Sequence, residues 1–164
     1  MSIQKDNQYL STGIPELENY LLSKELYYPI SSNLPQLTLG GILLSLARMG
    51  TQAAKLEVQV EAIRSKWQVA WDVKSSREVK ARDELWVNYL AEYREDPKSG
   101  ARLYSQNVRY RAMLSLLGKT EVDSDALVKS VFAEGKFVWE EECEPNFPHE
   151  TFWYLFGTLR SDHA

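Results

Sequence analysis

Between Thr51 and Asp96 the chain carries neither glycine nor proline. The stretch is rich in Ala, Glu, Lys, Arg, Gln and Leu, residues that lose little on entering a helix. Its apolar positions repeat at steps of three and four: Leu56, Val60, Ile63, Trp67, Ala70 and Trp71 first, then Val79, Leu85, Trp86, Tyr89, Leu90 and Tyr93. Each set is a helical stripe. At 100° per residue the second stripe lies roughly 90° round from the first. The pattern predicts one long helix over about 51–95 that changes neighbours midway, or two helices meeting near 72–77, with Ser75-Ser76 as the break.

Punctuation divides the remainder. Pro15, with Thr12 and Gly13 before it, marks the start of a first helix whose apolar face is Ile14, Leu17, Tyr20 and Leu21. A second helix is expected from Pro35 to Met49, ending at Gly50. It is apolar nearly all round, and Gly41 and Ser45, four apart, permit close approach of a neighbour. A turn at 96–100, a helix over 101–117, another over 124–134 and a last one from Pro148 follow. Residues 136–144 are ambiguous, because Phe137 and Trp139 alternate like a strand that has no evident partner. The expected architecture is an all-α, single-domain bundle of six or seven helices over residues 13–160. A flexible N-terminus (1–12) and a flexible tail (161–164) flank it.

With 164 residues, 44% of them hydrophobic, the chain can bury a proper core without staples. Cys143 is the sole cysteine, so no internal disulfide forms, and with His149 and His163 it is the whole supply of soft metal ligands. No cofactor and no obligatory metal are expected. No secretory pattern and no membrane span is visible, and the cytoplasm is the expected compartment.

Charge is uneven: net −2 over residues 1–63, +5 over 64–119 and −7 over 120–164. Such an arrangement lets opposite surfaces meet within the chain or across an assembly, or offers a basic face to an anion. The sharpest nucleic-acid candidates are Arg102, Arg109 and Arg111, interleaved with Tyr104 and Tyr110, together with Lys66, Arg77 and Lys80 on the long helix. Catalysis has little to work with. There is no nucleophile elbow, phosphate loop or dinucleotide fingerprint. A carboxylate site or a Cys143–His149 pair is what remains for an enzyme.

The aromatic share, 12%, is the other feature. Trp86, Tyr89 and Tyr93 beside Arg82 and Arg94 have the composition of an interface centre. The leading expectation is therefore a non-enzymatic helical interaction module, a homodimer or a subunit of a larger assembly. Its partner would be another protein or a second copy, not a membrane. An accessory nucleic-acid-binding subunit is the alternative, and an enzyme the second alternative.

Overall fold

The computed structural model describes residues 3–119, 125, 137–139 and 146–160. In order these form α1 (Ile3–Leu22), α2 (Leu39–Met49), a 3-10 turn (Gly50–Ala53), α3 (Ala54–Lys66), α4 (Gln68–Glu95), α5 (Pro97–Arg102), α6 (Tyr104–Leu116), β1 (Phe137–Trp139), a second 3-10 turn (Trp153–Leu155) and β2 (Gly157–Leu159). The described chain is mostly helical. It divides into two units, Met1–Val79 and Lys80–Ala164, rather than one.

The first unit is built around α1 and α2. α1 begins at Ile3, not near Pro15, so the segment expected to be a flexible N-terminus is helical and Pro15 lies inside the helix. An interior proline removes one ladder hydrogen bond and costs about 3 kcal/mol. Burial offsets that cost: Asp6, Tyr9, Leu10, Gly13, Ile14, Leu17, Tyr20 and Leu21 form an unbroken buried stripe. Gly13 belongs to this stripe rather than to a turn, because a Cβ there would lie 2.9 Å from Leu37 Cδ1.

α2 is shorter than the sequence suggests. Thr38 caps it, its side chain accepting from the Gly41 N–H, and Leu37 before it pairs with Tyr28 in an isolated antiparallel bridge. Gly50, at φ 58°, ends the helix as expected. Gly41 and Ser45 do face α1: a Cβ on Gly41 would sit 2.5 Å from the Tyr9 hydroxyl, and Ser45 Oγ donates to Asp6 Oδ1.

The 51–95 run is divided, but at Trp67 and not near 72–77. Residues 50–53 are a 3-10 turn, and Trp67 sits at φ −120°, ψ 40° between α3 and α4. Hydrogen bonds persist on both sides of this one non-helical residue, Trp67 N–H to Ile63 O at 3.0 Å and Trp71 N–H to Trp67 O at 2.9 Å. Ser75-Ser76 is uninterrupted helix.

The two apolar stripes are also not what they seemed. Buried positions on α4 are Trp71, Lys74, Glu78, Arg82, Trp86, Tyr89, Leu90 and Tyr93. The steps of three and four continue through charged residues, so no change of face is required; Leu85 is exposed instead.

In the second unit α5 replaces the expected 96–100 turn. Asp96 caps it and Pro97 opens it. A Cβ on Gly100 would meet the Tyr93 Cα at 2.7 Å, so only glycine permits this approach of α5 to α4. α6 follows, ending near Gly118. The last helix expected from Pro148 is instead a 3-10 turn leading into β2. β1 pairs with β2 antiparallel, Phe137 opposite Leu159 and Trp139 opposite Gly157. The strand without an evident partner thus finds one some twenty residues on. The helix expected over 124–134 falls outside the described residues except for Asp125.

Candidate functional site

The residues proposed as an interface centre are core. Trp86, Tyr89 and Tyr93 are no more than 3% exposed, and Arg82 is buried too. Trp86 stacks on Tyr89 with ring centroids 5.6 Å apart and tilts against Tyr104. Tyr89 donates its hydroxyl to Gly100 O at 2.7 Å and Tyr93 to Arg160 O at 2.7 Å. Burial, with a smaller push from Tyr93, raises the Tyr89 phenol above the usual tyrosine value. Arg82 lies over the Tyr110 ring at 5.4 Å. Arg94 alone of the set is exposed. Aromatics at helical spacing that bond inward serve the chain's own packing, so polar substitution of Trp86 and Tyr89 would unfold the unit rather than release a monomer.

The basic candidates are dispersed. Lys66 and Arg77 belong to the first unit, and Lys80, Arg102, Arg109 and Arg111 to the second. Arg77 donates to Lys24 O at 3.0 Å, and Lys66 approaches Glu18 at 4.0 Å. Arg111 is buried and taken: Nε and Nη2 reach the two Asp125 oxygens at 3.0 and 3.2 Å, and Nη1 reaches Ser115 Oγ at 2.8 Å. Its guanidinium also lies over the Tyr154 ring. With three of its five N–H groups bonded and its side chain buried, this guanidinium is not presented to a phosphate. Arg109 is half-buried, while Lys80 and Arg102 are exposed.

A cavity of about 240 Å³ is lined by Tyr89, Glu92, Glu95, Asp96, Ser99, Gly100 and Leu103. Asp96 there is occupied as the α5 cap, and hydrogen bonds from Ser99 hold its carboxyl below the usual range. No group of three His, Cys, Asp or Glu side chains among the described residues could hold a metal ion. His149 is exposed, its ring 4.7 Å from that of Phe156, and Cys143 lies outside the described residues. Among the described residues no helix is long and apolar enough to cross a membrane.

The feature that sequence reading missed lies on the outward side of α3 and the first part of α4. Val58, Val69 and Val73 are 69%, 80% and 59% exposed. Ala62 and Ser65, exposed as well, fill the positions between them. Val58, Ala62 and Ser65 share one side of α3, and Val69 and Val73 share one side of α4 beyond Trp67, and no charged residue is among them. Valine is stiff in a helix and gains nothing from exposure there. The signal was present: these positions lie opposite the Leu56–Trp71 stripe, on the side that also carries Lys55, Lys66, Arg77 and Lys80.

No protein-family model, curated protein or solved structure matches this chain.

Proposed function

We propose that the chain is a helical protein–protein interaction module that acts by association, as a homodimer or as a subunit of a larger assembly. The exposed row of Val58, Val69 and Val73 carries this reading. Single exposed apolar residues are ordinary, whereas exposed valines with small uncharged neighbours on two successive helices are the pattern of a contact surface. Lys55 and Lys66 along one edge and Glu61 and Asp72 along the other would supply the polar rim such interfaces have. The row replaces the Trp86–Tyr93 surface as the point of contact.

Sedimentation of the wild type and of a Val69→Asp, Val73→Asp double variant tests it. The expected result is concentration-dependent association of the wild type and a folded, non-associating variant. A wild type that stays monomeric throughout, and captures no protein that the variant fails to capture, overturns the reading.

A further inference from the structure

Asp6 is fully buried on α1, facing α2. Ser45 Oγ donates to its Oδ1 at 3.1 Å, and Arg48 Nη1 approaches the same oxygen at 3.7 Å. Its other oxygen, Oδ2, is buried with no hydrogen-bond partner. A carboxylate out of water with one bare oxygen is poorly compensated, since burial is repaid only when every lone pair is satisfied. Adding a proton removes the charge and leaves the Ser45 bond in place, and forfeits the attraction to Arg48, which burial outweighs.

We propose that Asp6 is an acid-responsive joint between α1 and α2, which tightens when Oδ2 is protonated and loosens when the carboxyl ionises. The groups facing it from α2 are Ser45 and Arg48. α3 meets α1 elsewhere, through Lys66 and Glu18. Burial raises the Asp6 carboxyl above the usual aspartate value, and Arg48 and Ser45 oppose the rise without cancelling it. The sign follows. A folded-state value above the unfolded one favours the fold at low pH, and this advantage is lost as pH rises through the folded value. Other carboxyls with depressed values act in the opposite sense, so a matched comparison is required.

The comparison is hydrogen exchange of α1 amides in the wild type and in Asp6→Asn, each pair measured at the same pH from mildly alkaline to mildly acidic. Asn mimics the protonated acid. The expected result is wild-type α1 less protected than the variant at alkaline pH, the gap closing on acidification. Its full width is about tenfold for each unit by which the carboxyl is raised. Profiles that run parallel at all pH values overturn the proposal. If Asp6→Asn does not fold, carboxyl-carbon NMR of the wild type decides: an Asp6 midpoint above that of an exposed aspartate supports the joint, and one at or below it overturns it.

Discussion

The two units share one device for buried polar groups, tyrosine hydroxyls given to carbonyls, and differ in what receives their buried charges. In the first, charges on α4 complement the ends of other helices. Lys74 Nζ donates to Ser23 O and Glu25 O, at 2.9 and 2.6 Å, just past the end of α1. One turn on, Glu78 Oε2 accepts from the Gly40 N–H at 2.8 Å in the first turn of α2. A cation thus meets the negative end of one helix and an anion the positive start of the next, as the peptide dipoles favour. In the second unit the buried Arg111 is received by a side chain, Asp125, and tyrosine hydroxyls take the scattered carbonyls, as Tyr9 and Tyr20 do in the first. Tyr89, Tyr93 and Tyr104 each donate to a carbonyl, of Gly100, Arg160 and Tyr154. Where the groups to be satisfied are helix termini, a full charge is matched by a dipole. Where they are scattered carbonyls, a phenol is enough and brings its own packing.

This contrast has a largest expected effect in the second unit, where one side chain both packs and bonds. Tyr104→Ala removes a buried ring and should cost roughly 3–5 kcal/mol, in line with other large aromatic truncations. Tyr104→Phe removes only the hydroxyl and should cost about 0.5–1.5 kcal/mol. Urea unfolding of the two variants separates the parts. Equal losses would make the hydroxyl, not the ring, the principal tie.

In the first unit the effect should reside in the hydrogen bond. Glu78→Ala leaves the Gly40 N–H without its acceptor and should cost about 2–3 kcal/mol, the range for bonds to a charged group. Glu78→Gln keeps an acceptor and should lose less. Exchange rates of the first α2 amides give the local readout. Similar small losses in both variants would mean that the carboxylate is not what secures the start of α2.

Much of the helical character was legible from sequence, and the reason is specific. The Gly- and Pro-free run, the Gly50 stop and the small pair Gly41 and Ser45 each act through local backbone sterics, which a sequence displays directly. Pro15 misled because its cost is local while its compensation, the Tyr9–Leu21 stripe packed on α2, is tertiary. Lys74 and Glu78 stand outside the apolar stripes for the same reason. A charged residue looks exposed until the helix end or ring that receives it is known. The interface set failed in the other direction: Trp86, Tyr89 and Tyr93 have the composition of a binding centre, but composition does not distinguish a surface cluster from one already filled from within. The pairing of β1 with β2 depends on a separation of some twenty residues that no short-range pattern encodes.

The smallest expected effect sharpens the comparison from within the aromatic core. Trp86 is 1% exposed, and its indole Nε1 has no hydrogen-bond partner. It is the one aromatic of the Trp86, Tyr89 and Tyr104 group whose polar atom is left unserved. An orphaned buried donor carries a penalty of about 1–3 kcal/mol. Trp86→Phe removes that donor but also part of a ring that stacks on Tyr89, leaving a small void. The two terms oppose each other, so the net change in unfolding free energy should stay within about 1 kcal/mol. A loss well beyond that would mean that Nε1 is satisfied in solution, by a buried water that finds acceptors nearby. The Trp86, Tyr89 and Tyr104 group would then bond every one of its polar atoms, and its difference from Lys74 and Glu78 would reduce to neutral against charged groups.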